Sequence, residues 1–307
     1  MNPSIDEGSR EALENEIADL EFRLQKAKDR LAASTTGPDS PSRQPPSAKL
    51  SIPSAPHSSA NHYLLLLSDS ALPLGSFAFS SGLESFLAHT RRRGSGGPST
   101  TSAAASASSF SSFLPLSLSS YASTTLPFVL AAHRDPSPDN IAALDDTQDA
   151  AVICTVGRRA SVAQGRALLS IWEKSMAGTA DPASTLAPYA ELLRARGNED
   201  EGPPVAHAHL APLFGAVAAL CGLALRQAAY VFMLGHVKAL VSAAVRAGLF
   251  GPYQAQRVLA GAEVQRLLAD AIEREWDTPV EEAGQSVPVM DLWFGRHELL
   301  YSRIFNS

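Results

Sequence analysis

The sequence predicts an all-α protein whose main part is a single helical-bundle domain of roughly seven to ten helices. No run alternates apolar and polar residues over the length of a strand. The long segments instead repeat apolar residues at helical spacing, as Val264, Leu268 and Ile272 do at intervals of four. Clusters rich in Gly, Pro, Asn and Asp separate these segments, at "RDPSPDN", "AGTADPAS", "GNEDEGPP" and "GLFGPY". With 307 residues, 45% of them hydrophobic, the chain can bury a full core.

Residues 1–60 are predicted to form an N-terminal extension of this domain. Between residues 10 and 33 the apolar positions alternate spacings of four and three, which is typical of a short amphipathic helix or weak coiled coil: Leu13, Ile17, Leu20, Leu24, Ala27 and Leu31. Residues 34–60 are rich in Pro and Ser and cannot form a core, so they are predicted to be a disordered linker.

The helical domain is predicted to span residues 61–307. A stretch of Ser, Gly and Ala that begins with three arginines, residues 91–110, has too little apolar surface to order itself and is predicted to be a flexible, low-complexity insert. The helices after it are expected at 111–133, 141–145, 150–177, 186–196, 210–247, 253–276 and 288–305.

Composition and charge exclude several classes of function. A formal net charge of -6 and a pI near 5.8 leave no broad basic surface, so we expect no nucleic-acid partner. Two distant cysteines, Cys154 and Cys221, suit a reducing compartment, and the polar start of the chain is unlike a signal peptide, which predicts a cytoplasmic protein. The most apolar run, Leu210 to Leu225, is shorter than the ~20 residues of a spanning helix, so we interpret it as a buried core helix and expect no membrane association.

The motifs of self-contained enzymes are missing. The sequence has no Gly-Lys pair of a phosphate-binding loop, no G-x-S-x-G, no Cys-x-x-Cys and no His-Glu-x-x-His. These absences favour a protein without an enzymatic reaction of its own. A hydrolase that uses Ser80 or Ser81 with Glu84 and a distant histidine is a remaining hypothesis.

One pair of histidines offers metal chemistry. His207 and His209 lie two residues apart and could share a first-row metal ion if their backbone is extended. Such pairs also occur as surface or capping residues, and both interpretations stand at this point.

The segment "LPLGSFAFSSGLESF", residues 72–86, predicts a rigid corner before a helix. Pro73 ends a helix and Gly75 allows backbone angles closed to other residues. Gly82 allows a second backbone to approach, and Glu84 lies away from the apolar stripe of the following helix. The glutamate is therefore either solvated or presented to a partner or an ion.

This corner also resembles a family signature. Pro73, Gly75, Phe77, Ser80, Gly82, Leu83 and Glu84 match the pattern L-P-x-G-x-F-x-x-S-x-G-L-E of the urease accessory protein UreF family. Later segments resemble further blocks of that family in the same order: "LPFVLAAH", "RRASVAQGRALLSIW", "HLAPLFGAV", "LVSAAVRAGLFGP" and "LLYSRIFNS". The resemblance covers about residues 63–307.

The resemblance implies an all-α, dimeric co-chaperone of urease maturation. Such a protein bridges an accessory protein of the UreD or UreH type to the GTPase UreG, modulates GTP hydrolysis and promotes nickel insertion into apo-urease. It implies no permanently bound cofactor: nickel is in transit, and GTP and Mg belong to the partner GTPase. The alternative is a metallochaperone that binds nickel directly through His207 and His209.

The resemblance also implies where partners bind. In the family the C-terminal tail engages the UreD-type partner and helps to recruit the GTPase, which here points to Tyr301, Arg303 and Phe305. The alternative for these residues is packing against the chain's own helices. Glu84 is expected at or near a partner-facing or ion-conducting surface. Gln164 and Arg166 form either another partner-binding patch or a support for the central helix.

Overall fold

The computed structural model describes residues 59–93, 103–181, 183–195 and 206–306. The chain divides into two compact units, Met1–Ser54 and Ala55–Ser307, and all described residues belong to the second. The predicted heptad helix 10–33 and nearly all of the predicted linker 34–60 lie outside the described residues.

The described residues are helical and contain no strand, which confirms the all-α prediction. The α-helices, in chain order from α1 to α12, are Ser59–Ser68, Leu83–Arg93, Ala103–Arg134, Pro138–Ala151, Thr155–Ile171, Ala177–Ala180, Ala187–Ala195, Leu210–Leu220, Leu225–Arg246, Pro252–Ala260, Ala262–Glu275 and Val289–Arg296. Short 3₁₀ turns lie at Ser76–Ala78, Val280–Glu282 and His297–Leu299, and a π turn at Trp172–Met176 joins α5 to α6.

The core is built around the long helix α3, which packs against α8, α9 and α11. Helix α8 is apolar and buried over most of its length, from Leu210 to Ala218. Glycine allows its close contact with α3, because a Cβ on Gly215 would lie 2.2 Å from the carbonyl oxygen of Val129. The apolar run that the sequence assigned to a core helix is therefore central to the bundle.

Several predicted helices are longer or shorter in the structure. Helix α2 continues to Arg93 and α3 begins at Ala103, so the insert predicted at 91–110 overlaps helix at both ends; residues 94–102 lie outside the described residues. Phe110 is 2% exposed, and its burial explains why the start of α3 is ordered despite its composition.

Several predicted helices are also interrupted in the described residues. The segment 150–177 is broken between Ala151 and Thr155. The segment 210–247 is interrupted at Gly222, whose φ of 76° ends α8, and 253–276 is interrupted at the extended residue Gly261. The final segment 288–305 is helical only to Arg296, followed by a 3₁₀ turn, and residues 300–306 form a non-helical tail.

One described helix, α9, has the length and hydropathy to cross a membrane. Of its most apolar window, 61% is buried inside the fold, as in the core helix of a soluble protein. Helix α9 begins where the apolar run Leu210 to Leu225, which the sequence predicts to be a buried core helix, ends.

Candidate functional site

The predicted corner is present between α1 and α2. Gly75 has a left-handed backbone, with φ of 72°, and starts the 3₁₀ turn Ser76–Ala78. Gly82 also has a positive φ, 81°, and an added Cβ there would lie 3.1 Å from Cβ of Trp293 in α12. Both glycines are therefore required by backbone geometry, and Gly82 in addition by the close approach of α12.

Glu84 lies in the first turn of α2 and faces the C-terminal tail. Its carboxylate accepts hydrogen bonds from the backbone N–H groups of Ile304, at 2.7 Å, and Phe305, at 3.3 Å. The Nε2 of His297 lies 2.8 Å from the same carboxylate. Only 11% of the Glu84 side chain is exposed. The described hydrogen bonds of the Glu84 carboxylate are therefore with its own chain, and a partner-binding role for this residue stays a prediction.

The end of the tail is held by two further contacts, through Asn306 and through Phe305. The N–H of Asn306 donates to the carbonyl oxygen of Ala78 in the corner, at 2.8 Å. Phe305 is 4% exposed, and the guanidinium of Arg246 lies 4.3 Å from the centre of its ring. Arg246 also donates to the carbonyl oxygen of Phe77, and partial burial lowers the pKa of this arginine. The tail is therefore docked, as termini are only when specific contacts hold them.

The corner, the last 3₁₀ turn and the docked tail carry exposed, mostly apolar side chains, which we call the tail surface. It consists of Phe77, Leu299, Tyr301, Arg303 and Ile304, all of them exposed and Tyr301 completely so. Aromatic and arginine side chains presented together are typical of protein interfaces.

The three tail residues that the resemblance pointed to thus divide into two kinds. Tyr301 and Arg303 are exposed, whereas Phe305 is buried against the chain's own helices and anchors the tail. Arg159 of α5 forms an ion pair with Glu298, just before the tail. The sequence carried no signal for this pair, because its two residues are far apart along the chain.

His207 and His209 are buried in a polar cluster beside α8. Asp145 accepts the backbone N–H groups of both, at 2.5 Å and 2.6 Å. Their Nε2 atoms face one carboxylate, that of Asp149, at 3.3 Å and 3.0 Å, and Nδ1 of His209 bonds to Ser161. The pair therefore joins α4 and α5 to the start of α8.

The Asp149 carboxylate in this cluster has a charged partner. Arg158 forms two hydrogen bonds of 2.5 Å with the Asp149 carboxylate. Partial burial opposes ionisation of Asp149, but the hydrogen bonds from Arg158 and His209 outweigh it and hold the pKa of this carboxyl below its usual range. Within the described residues no group of three His, Cys, Asp or Glu side chains is placed to hold a metal ion. The described contacts of both histidines are with their own chain, and nickel binding by them stays a prediction.

Two further predictions concern α5 and the corner. Gln164 donates to the carbonyl oxygen of Ala160 in its own helix, and Arg166 is exposed; in the described part of the chain neither bonds to the tail.

For the hydrolase hypothesis, the Ser80 hydroxyl accepts the N–H of Glu84 at 3.4 Å, and His297 faces the glutamate. Among the described residues, His297 bonds to Glu84 through Nε2, and its Nδ1 has no hydrogen-bond partner, which is unlike a histidine that activates a serine.

Comparison with known proteins gives the family. The UreF family profile matches residues 104–263, about half of the chain. The chain belongs to the UreF family. It is 37% identical over 249 residues to an uncharacterized urease accessory protein UreF-like of Schizosaccharomyces pombe, covering 80% of this chain and 97% of that protein.

Further relatives come from plants and bacteria. Urease accessory protein F of Oryza sativa subsp. indica is 30% identical over 253 residues, 81% of this chain and 85% of its own. Urease accessory protein UreF of Paenarthrobacter aurescens is 30% identical over 251 residues, 81% of this chain and 100% of its own. The similarity extends over most of the described domain.

Proposed function

We propose that this protein is a urease maturation co-chaperone that bridges a UreD- or UreH-type accessory protein and a UreG-type GTPase. In this role it promotes nickel insertion into apo-urease and modulates GTP hydrolysis. The tail surface is the observation that carries the proposal. Its exposed tyrosine, arginine and aliphatic side chains are fixed in place by a docked tail, so little conformational entropy is lost when a partner binds.

In this proposal the partners, and not this chain, carry out the chemistry of urease maturation. GTP and Mg bind to the GTPase, nickel passes in transit, and this chain holds no permanent cofactor. It acts as a homodimer in the cytoplasm; its free thiols, Cys154 and Cys221, suit that reducing compartment.

The test compares two exposed tyrosines. Tyr301 belongs to the tail surface, whereas Tyr253 is 92% exposed at the start of α10, a different element. Affinity for the UreD-type partner is measured by titration, and the mass of the complex by light scattering after size exclusion. Tyr301→Ala removes the side chain of an interface hot spot, so it should weaken binding about 30-fold or more. Tyr253→Ala should leave it unchanged.

Equal affinity of both variants and wild type would show that the tail surface is not the docking site. A wild-type protein that binds no UreD-type partner at all would refute the bridging function itself. The GTPase step is followed separately, as the rate of GTP hydrolysis by the UreG-type partner with each variant. We expect Tyr301→Ala to abolish any change in this rate that the wild-type complex produces.

A further inference from the structure

Three arginines lie in and beside the tail surface, and we call Arg159, Arg296 and Arg303 the arginine rim. Arg303 belongs to the tail surface, Arg296 is the last residue of α12, and Arg159 lies on α5, which packs against α12. All three residues are exposed. The rim therefore presents positive charge to solvent around the end of α12.

Glu298 lies close to every member of the arginine rim. It is part of the 3₁₀ turn that follows α12 and forms an ion pair with Arg159. The hydrogen bond from Arg159, and more weakly the charge of Arg303, hold the pKa of Glu298 below its usual range. Arg296 precedes Glu298 by two positions, so their Cα atoms are within about 7 Å of each other. The three arginines thus lie around one carboxylate.

The arginine rim has more positive than negative charge. The ion pair of Glu298 is with Arg159, and in the described part of the chain neither Arg296 nor Arg303 has an ion pair of its own. Glu298 therefore offsets one guanidinium charge and leaves two. Glu84 and Arg246, which hold the tail, have opposite charges and do not alter this balance. On a chain with a net charge of -6, positive charge is thus concentrated beside the tail surface.

Charges at the border of an interface act mainly before the two proteins touch. They attract an oppositely charged surface and orient it, which raises the association rate, whereas the apolar centre holds the complex once it has formed. Phe77, Leu299 and Ile304 supply such an apolar centre in the tail surface. Guanidinium groups also match carboxylates in shape, because two N–H donors can bond to the two oxygens. An apolar surface bordered by arginines therefore fits a partner face whose own border carries Asp and Glu side chains.

We propose that the arginine rim docks an acidic border on the UreD-type partner and speeds its association with the tail surface. This inference rests on the proposed function, which places that partner on the tail surface. The three arginines attract the partner's carboxylates, and Glu298 weakens the attraction because it is the negative charge within the rim. Removing the charge of Glu298 should therefore accelerate binding, which the loss of a purely structural ion pair would not do.

The first experiment measures how the association rate of the full-length protein with its UreD-type partner depends on salt. Stopped-flow fluorescence gives the association and dissociation rates at about 20 mM and about 500 mM NaCl, between which the screening length falls from about 20 Å to about 4 Å. We expect the association rate to fall at least about tenfold over this range and the dissociation rate to change much less.

Single neutral variants assign the effect to the arginine rim. At low salt, Arg296→Gln and Arg303→Gln should each slow association about two- to threefold, because one attracting charge is lost. Glu298→Gln should speed association by a similar factor. Arg266→Gln is the matched control and should associate as fast as the wild type, since Arg266 is also exposed but lies on α11, which carries no residue of the tail surface. Thermal unfolding establishes that each variant is folded.

Three results would overturn this inference alone, in a complex that still forms. They are an association rate that is independent of salt, a Glu298→Gln variant that associates no faster than the wild type, and equal slowing in Arg266→Gln and Arg303→Gln. Absence of any complex with the wild-type protein would overturn the bridging function as well. The two proposals therefore fail in different ways.

Discussion

Substitution of Glu84 by glutamine should release the C-terminal tail while the rest of the domain stays folded. The carboxylate accepts two backbone N–H groups, from Ile304 and Phe305, and faces Nε2 of His297. A glutamine amide keeps one acceptor oxygen and places an NH₂ group where the other oxygen accepted. At least one charge-assisted hydrogen bond is then lost, and the remaining ones become neutral.

The size of the effect follows from these contacts. Hydrogen bonds to a charged group each contribute about 1.5–3 kcal/mol, so the substitution should cost the docked tail about 2–4 kcal/mol. Since 1.4 kcal/mol corresponds to a factor of ten, the population of the open tail should rise about 30- to 700-fold. The assay is amide hydrogen exchange at Ile304 and Phe305, the two N–H groups that the carboxylate binds.

The matched control is Glu298→Gln, which removes the exposed ion pair with Arg159 close to the tail. Exposed ion pairs add little to stability, so exchange at the two amides should hardly change in this variant. If Glu84→Gln leaves both amides as protected as in the wild type, the carboxylate does not hold the tail and our account of the tail surface is wrong.

Three further predictions concern the interior. Because His236 is neutral in the fold, with a pKa of about 3, the unfolded chain takes up the extra proton below pH 6.5; stability should fall by about 2 kcal/mol between pH 7 and pH 5. Chemical denaturation at both pH values should show a smaller loss in the free energy of unfolding for His236→Phe than for the wild type. An equal loss in the two proteins would contradict this prediction. Gly165→Ala places a Cβ 2.0 Å from a carbonyl oxygen and should cost about 3 kcal/mol or more, whereas Gly178→Ala, with open space, should leave the Tm equal or higher. A thiol reagent should modify the half-exposed Cys154 well before Cys221, because burial raises the pKa of the Cys221 thiol to about 12. Equal rates of modification at the two cysteines would contradict this burial.

The sequence predicted local structure well and long-range pairing poorly. The corner with Gly75 and Gly82 was predictable because Pro and Gly restrict the backbone within a few residues. Helix interruptions at Gly222 and Gly261 were missed, since the apolar pattern continues across both and only packing decides that the chain turns there.

The candidate site depends on pairs that no local pattern contains. Glu84 and the amides that it binds are separated by more than two hundred residues, and the bond between Asp149 and His209 crosses from one helix to the start of another. Periodicity marks which face of a helix is buried, but it does not say which distant polar group will lie opposite. The same limit explains why the sequence left two interpretations open for His207 and His209, as metal ligands or as surface or capping residues.

The contact between Glu84 and Ile304 also has a consequence for synthesis. The two residues are separated by 220 positions, so the ribosome adds the second roughly 10 to 45 s after the first. Throughout that interval the nascent protein has its corner but no tail to place against it. A product of premature termination before Ile304 would lack the completed surface however well its other helices had folded. Under the proposed function, docking of a partner on this surface would therefore select chains that have been translated beyond Ile304.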